Sequence, residues 1–337
     1  MKERANYNSI DAFKFFLAIC VVAIHIKPLY NLQNRTVRSL YEAVVTIAVP
    51  FFFISSGFLL ADKFIEPTYS DENIDITKRY LFRIVKLYLI WTVIYLPITV
   101  YGYYLSGEGI AYNALRFIRG MFLLGDYYNS YMLWYLLSTI YALVLIMLLM
   151  HSQFSPLIIS AIGVSGIFFG YTVSILIQSR YRLPSVAEDL LRIIELAFGD
   201  SGRIFTGMGY ISLGMLMNKH SLSIKSSISL FACGFIGKAS LDGFLAEISI
   251  TICSIGFFGL VLLIRLKNGP IYKKMRIMST LIYFLHLYVW TTFYILVFHE
   301  KTYGMISFIG TLIITLLLSV IMCIGVCRKS RLLSIIV

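Results

Sequence analysis

The chain has 337 residues, of which 59% are hydrophobic, 15% aromatic and only 14% charged. A soluble domain carries roughly 45–50% apolar and about 25% charged residues, so this composition excludes an ordinary soluble protein. The formal charge of +12 would suggest nucleic acid in a soluble chain, but here the basic residues sit between apolar blocks, where Lys and Arg hold cytoplasmic loops inside. No basic-aromatic platform is present, and nucleic acid is not expected as a partner.

The apolar residues fall in blocks of about 20, the length of a helix that crosses a bilayer. They run without period-2 alternation, which favours helices over a barrel. The expected fold class is therefore all-α, a polytopic integral membrane bundle of about ten transmembrane helices. It is expected as a single transmembrane domain over 1–337, multi-pass in a bacterial-type plasma membrane. The spacing predicts spans at 10–29, 40–61, 81–105, 131–150, 156–178, 204–218, 226–241, 244–264, 278–298 and 305–327. With both termini cytoplasmic, 17 Lys and Arg lie inside and 11 outside, with Lys14 in the first span. The two densest clusters, 63–86 and 265–276, then both fall inside. The first apolar stretch ends in His25, Lys27 and Pro28 without a small-residue cleavage site, so it is expected as a retained helix rather than a signal peptide. No convincing internal repeat is visible. The chain ends at RKSRLLSIIV just past the last block, and no attached soluble domain is expected.

The first span carries Asp11, Lys14 and His25. At about 100° per residue, Lys14 and His25 lie about 20° from exact alignment, and Asp11 is one turn from Lys14, so all three share a face. His25 sits roughly 16 Å outward from Lys14. Such a stripe is either a structural Asp–Lys pair with an interfacial His, or the lining of a pore or catalytic tunnel. Histidine titrates near neutral pH, so His25 can take a proton from an attacking hydroxyl.

The second block reads VPFFFISSGFLLADKF. Its Ser55, Ser56 and Gly57 permit close helix approach, and Pro50 can bend the helix. The third opens TKRYLFRIVKLYLIW, with Arg79, Arg83 and Lys86 on one basic stripe. The stripe reads equally as positive-inside anchoring or as a clamp for a cytoplasmic anion such as nucleotide phosphates.

Two long outer segments, 106–130 with ALRFIRGMFL and 179–203 with VAEDLLRIIELAF, place apolar residues at helical spacing beside charges. Such segments lie flat at a membrane interface, as loop anchors or as a lid over an outward-facing site. In the fourth block, Trp134 and Tyr135 fit an outer aromatic belt. The sixth and seventh blocks are short and punctuated by glycine. In the ninth, STLIYFLHLYVW puts His286 in the middle third of a span, as a helix–helix hydrogen-bond partner or as a functional group. His151, His220 and His299 fall in loops. The five cysteines lie in apolar blocks with no CxxC or Cys/His cluster, so neither disulfides nor a metal site is expected. No Walker loop, GxGxxG or GxSxG is present, so Ser56 is not a nucleophile elbow.

The segments IDAFKFFLAICVVAIH, VPFFFISSGFLL, RYLFRIVKLYLIW, LWYL and IYFLH, in this order and spacing, resemble the membrane acyltransferase-3 superfamily over nearly the whole chain. Within it, AIHIKPLY, DYYNSYMLWYL and GRIFTGMGYISLGM look most like the membrane domain of vancomycin-resistance serine racemases. The family pattern is Arg, ten residues, His; here Lys14 stands at the Arg position and His25 at the His position. Lysine keeps the charge and loses the bidentate fork. Arg79 and Arg83 match the family's basic pair, Ser56 and Gly57 its SGF segment, Trp134 its LW segment and His286 its late His.

The resemblance implies transfer of an acyl group, usually acetyl from acetyl-CoA, to a hydroxyl of a cell-envelope glycan on the far side. It makes His25 the general base, Lys14 with Asp11 its electrostatic partners, and Arg79 and Arg83, with Lys86 beside them, the holders of the CoA phosphates. Ser56, Trp134 and His286 then face substrate. The narrower likeness implies a different outcome: an L-serine uptake protein with no cofactor of its own, working beside a separate pyridoxal-phosphate racemase, with Lys14 and His25 lining the substrate path.

Overall fold

The computed structural model describes residues 7–178, 185–199, 202–295 and 302–327. Lys2, Arg4, Arg180, Arg182, Lys301, Arg328, Lys329 and Arg331, which enter the orientation count, lie outside the described residues, as does His299. Among the described residues the structure is helical, without strands. The helices group into two compact units. One takes in the described residues up to Phe52 and from Leu222 onward; the other takes in those of Phe53–Ser221.

In the first unit, α1 (Asn8–Ile26) packs against α12 (Pro270–Phe293) and α13 (Met305–Cys327), and α10 (Ile224–Ser240) packs against α11 (Gly243–Leu263). The N-terminal end of α1 is tied down by Asn8, whose Nδ2 donates to Asn268 Oδ1 at 3.1 Å and to the carbonyl of Lys267 at 3.3 Å. α2 (Arg35–Val45) starts on a cap in which the Asn34 side chain accepts from the Val37 N–H at 3.1 Å. The block expected as one span at 40–61 is broken at residues 46–47, and α3 (Ala48–Ala61) follows. Pro50 is the cause. It has no N–H to give to the carbonyl of Thr46, and its ring crowds that carbonyl, so it is tolerated only in the first turn of a new helix.

In the second unit, α4 (Asp71–Leu105) runs 35 residues, ten longer at its start than the apolar pattern predicted. Its first turn is set by Ser70, which accepts from the Asn73 N–H, and by Asp71 and Glu72 at the positive helix end. At about 1.5 Å per residue this helix exceeds the roughly 30 Å of a bilayer core. The segments expected to lie at the interface contain helices: α5 (Ile110–Arg119), continued by a π-helical turn, and α8 (Ser185–Phe198). α6 (Trp134–His151) and α7 (Pro156–Gln178) both pack on α9 (Arg203–Lys219).

Among the described residues seven helical segments are long and apolar enough to cross a membrane: Asn8–Ile26, Arg35–Ala61 (α2 and α3 taken together across the break), Asp71–Leu105, Tyr131–His151, Pro156–Gln178, Gly243–Leu263 and Met305–Cys327. The chain is thus a membrane-embedded helical protein. The three other expected spans are helices as well, with physical reasons for their weaker signal. α9 and α10 have 17 residues each, and α12 carries His286 with several hydroxyl residues.

The glycines of these helices are contact points. A Cβ on Gly57 would lie 1.9 Å from the carbonyl oxygen of Ile211, and one on Gly214 would lie 2.0 Å from that of Ile54. α3 and α9 therefore cross backbone to backbone, a packing that only small residues allow. Gly57→Ala forces this crossing apart; about 1–3 kcal/mol of destabilisation is expected. Thermal unfolding in detergent checks it, and an unchanged midpoint would show that the crossing yields without cost.

Candidate functional site

The first unit brings together two histidines 261 positions apart in sequence. The rings of His25 on α1 and His286 on α12 stack with centroids 5.2 Å apart and planes inclined by 21°. His286 is fully buried. Its Nδ1 lies 3.1 Å from the carbonyl oxygen of Ile282 one turn back. A carbonyl only accepts, so Nδ1 carries the hydrogen and Nε2 of the neutral ring is the acceptor. Among the described residues that Nε2 has no hydrogen-bond partner. A buried polar atom without a partner costs about 1–3 kcal/mol, so its retention in a stacked histidine pair points to chemistry. His25 is partly buried.

Aromatic groups gather at the same end of α1. Trp290, one turn beyond His286, donates its indole N–H to the Ser307 hydroxyl and to the carbonyl of Thr302, each at 3.2 Å. Tyr303 meets Trp290 at 5.5 Å and stacks on Tyr30 at 5.4 Å. Lys27, which caps α1 in the left-handed region at φ 49°, lies 5.7 Å above the Tyr303 ring. The result is an aromatic mouth within two turns of the histidine pair. The segments STLIYFLHLYVW and AIHIKPLY contain Trp290 and Tyr30 without a role for either, and Tyr303 lies in a connection that carries no periodic signal.

At the other end of α1, Asp11 is engaged across the helix pair. Arg276 on α12 donates from Nε to Asp11 Oδ1 at 2.8 Å and from a terminal nitrogen to Oδ2 at 2.5 Å. The carboxylate is 5% exposed and the guanidinium 62%. Asp11, expected to act with Lys14 and His25, is thus the anchor of a bidentate pair between α1 and α12. Arg276 had been counted only among the inside positive charges. Lys14 is partly buried on α1, one turn from Asp11.

The remaining candidates lie in the second unit. Ser56 on α3 has its hydroxyl 3.3 Å from that of Tyr135 on α6, and it also meets the Tyr80 hydroxyl of α4. The charge of Arg83 reaches Tyr80 as well. Ser56 therefore belongs to a polar run of Arg83, Tyr80, Ser56 and Tyr135, in which Tyr135 is expected from sequence only in the outer aromatic belt and Tyr80 has no expected role. Trp134 packs 5.9 Å from Phe53, and Arg203 stands 5.5 Å over its ring. Arg79, Arg83 and Lys86 are all exposed on one face of α4. Three cations on one helical face are a donor set suited to phosphate groups. Among the described residues no cluster of His, Cys, Asp and Glu could hold a metal ion.

Comparison with known proteins follows the same lines. The chain is 32% identical over 152 residues to an amino-acid racemase of Enterococcus faecalis, covering 45% of this chain and 20% of the relative. It is 29% identical over 243 residues to a serine/alanine racemase of Enterococcus gallinarum, covering 71% of this chain and 32% of that protein. The match thus spans no more than about a third of either relative's length. No solved structure matches. A family model described as an acyltransferase domain matches residues 7–325, and this span takes in both histidines, the basic face of α4 and the Ser56 and Trp134 segments; the chain belongs to the membrane acyltransferase-3 family.

Proposed function

We propose that the chain is a plasma-membrane O-acyltransferase that moves an acetyl group from cytoplasmic acetyl-CoA to a hydroxyl of a cell-envelope glycan. The observation that carries this reading is the stacked His25–His286 pair, with its unpartnered buried nitrogen, beside an aromatic mouth. In this reading ten helices span the bilayer and both termini face the cytoplasm, as the distribution of Lys and Arg favours. The mouth of Tyr30, Trp290 and Tyr303 then faces outward, where aromatic rings offer flat apolar surfaces to a sugar.

His25 receives the proton of the acceptor hydroxyl, which makes the oxygen nucleophilic toward the acyl carbon. His286 holds the His25 ring by stacking. Lys14, one polar stripe inward, contributes positive charge on the donor's side. Arg79, Arg83 and Lys86 hold the donor phosphates, and Ser56 with Trp134 contacts substrate. The donor supplies the acyl group and leaves as the free thiol.

The racemase-named relatives favour a second reading, in which the chain takes up L-serine for a separate pyridoxal-phosphate racemase that feeds D-serine to peptidoglycan precursors. Calorimetric titration of the purified protein in nanodiscs with acetyl-CoA and with L-serine separates the two. Saturable acetyl-CoA binding is expected, with affinity lost in the Arg79→Gln/Arg83→Gln variant. Serine binding without a response to acetyl-CoA would establish uptake and leave His25 without its role as base.

A further inference from the structure

The N-terminal end of α12 and the C-terminal end of α13 flank an apolar groove of about 630 Å³. Each helix lines it with four residues spaced i, i+3, i+4 and i+7, starting at Ile271 on α12 and at Val320 on α13. That spacing makes each set a single stripe. Phe15 of α1 closes the space between the stripes. The lining grades from the buried Cys323, whose Sγ approaches the carbonyl of Lys274 at 3.9 Å, to the exposed Ile271 and Ile324, so the groove opens at the surface. A volume of this size is that of a ligand site rather than a packing defect.

α13 is one of the candidate spans, and the groove occupies its last two turns, Val320–Cys327. It therefore lies at bilayer depth, next to one membrane face. Seven residues of helix cover about 10 Å, which is about two-thirds of the hydrocarbon of one leaflet. At that depth the molecules around a helix are acyl chains, and an acyl chain is what enters an open apolar groove.

Charge separates this groove from ordinary lipid-facing surface. Among the described residues Lys274, within the α12 stripe, is the one charged side chain in the lining. Lys273 precedes it, and Arg265 and Lys267 stand in the connection before α12, which Asn8 holds against the start of α1. All four cations are exposed, and among the described residues none of them is in an ion pair. No Asp or Glu occurs between Glu247 and Glu300 to neutralise them. Arg276, the fifth cation of the cluster, is already held by Asp11. Topology anchoring accounts for cations in a connection. It does not account for a lysine inside an apolar groove.

A cation set into an apolar groove at the membrane edge, beside further unneutralised cations, complements a molecule with an anionic head and a hydrocarbon tail. We propose that the α12–α13 groove binds one anionic phospholipid. Its phosphate sits on Lys274 and Lys273, whose long side chains reach to headgroup level. One of its acyl chains lies along the two stripes toward Met278 and Val320, against Phe15. The site is separate from the histidine pair, since His286 stands about 12 Å beyond Met278 along α12. The lipid packs on α1, α12 and α13 together, and so ties the helices that carry both histidines at their opposite ends. The site is the same whether the chain transfers acyl groups or takes up serine.

Native mass spectrometry of the full chain released from nanodiscs of mixed phosphatidylglycerol and phosphatidylcholine tests the site without any assay of transfer. One phosphatidylglycerol per chain is expected to be retained, favoured about 10–30-fold over phosphatidylcholine, the preference that two cations contribute at a membrane surface. Lys273→Gln/Lys274→Gln should lose this preference. Lys273→Arg/Lys274→Arg should keep it, which guards against a folding defect as the cause of the loss. Val320→Trp, which fills the groove from its exposed rim, should reduce retention of both lipids. Equal retention of the two lipids by the unaltered protein overturns the proposal, as does a preference that survives the glutamine substitutions. A lipid-free dimer that Val320→Trp separates also overturns it, by making a second copy of the chain the occupant of the groove.

Discussion

Replacing His25 with Ala is expected to lower acyl transfer by about 10²–10⁴-fold, the range in which a positioned general base contributes. The argument rests on geometry. His25 is partly buried, next to the aromatic mouth, and its ring is fixed by the buried ring of His286. Removing the imidazole leaves the acceptor hydroxyl to lose its proton unaided, so the loss should fall on kcat, with donor affinity unchanged. Donor affinity measured on the same preparation shows that the variant is folded and that the cationic face of α4 is intact. Full transfer activity in a folded His25→Ala variant would remove the base assignment. His286→Gln should cost less. It removes the stacked ring but leaves the base in place, so a loss as large as that of His25→Ala would make His286 the base instead.

How far these features were legible follows from the range of the signal that carries each. The stripe of Asp11, Lys14 and His25 was readable because helical periodicity is local: three residues on one span declare a shared face. The break at residues 46–47 was readable as a bend, since Pro50 acts on the carbonyl four residues before it. The pairing of His25 with His286 was not readable from spacing, because the two lie on helices brought together by packing. His286 drew attention only as an ionisable group inside an apolar block. Arg276 was hidden for a different reason. A cation at the edge of a span looks like any other topology anchor, and only the buried carboxylate of Asp11 distinguishes it. α9 and α10 looked weak for the same reason that they pack well. Glycines such as Gly214 and Gly234 lower apparent apolarity while letting backbones meet, with Gly234 against Cys253 of α11.

The Asp11–Arg276 pair carries the largest stability effect expected in the first unit. Its two ends are unequal: the carboxylate is 5% exposed and the guanidinium 62%. Removing the arginine strands a buried charge, whereas removing the carboxylate leaves a cation that water already reaches. Arg276→Gln should therefore destabilise the protein by about 3–5 kcal/mol, the cost of breaking a buried pair from the side that leaves its partner uncompensated. Asp11→Asn should cost less, because the freed guanidinium keeps its solvent contact and exposed charges contribute little. The double variant Asp11→Asn/Arg276→Gln places two neutral amides where the ions stood, and it should recover most of the loss of Arg276→Gln. Thermal unfolding of the four proteins in one detergent gives the cycle. Additive effects, with the double variant as unstable as the sum of the two singles, would show that the ions do not depend on each other. The same cycle bears on function. Asp11 and Lys14 are one turn apart, so if Asp11 only anchors α1 to α12, the double variant should regain transfer along with stability. Restored stability with transfer still lost would instead place the Asp11 carboxylate in the chemistry, beside Lys14 and His25.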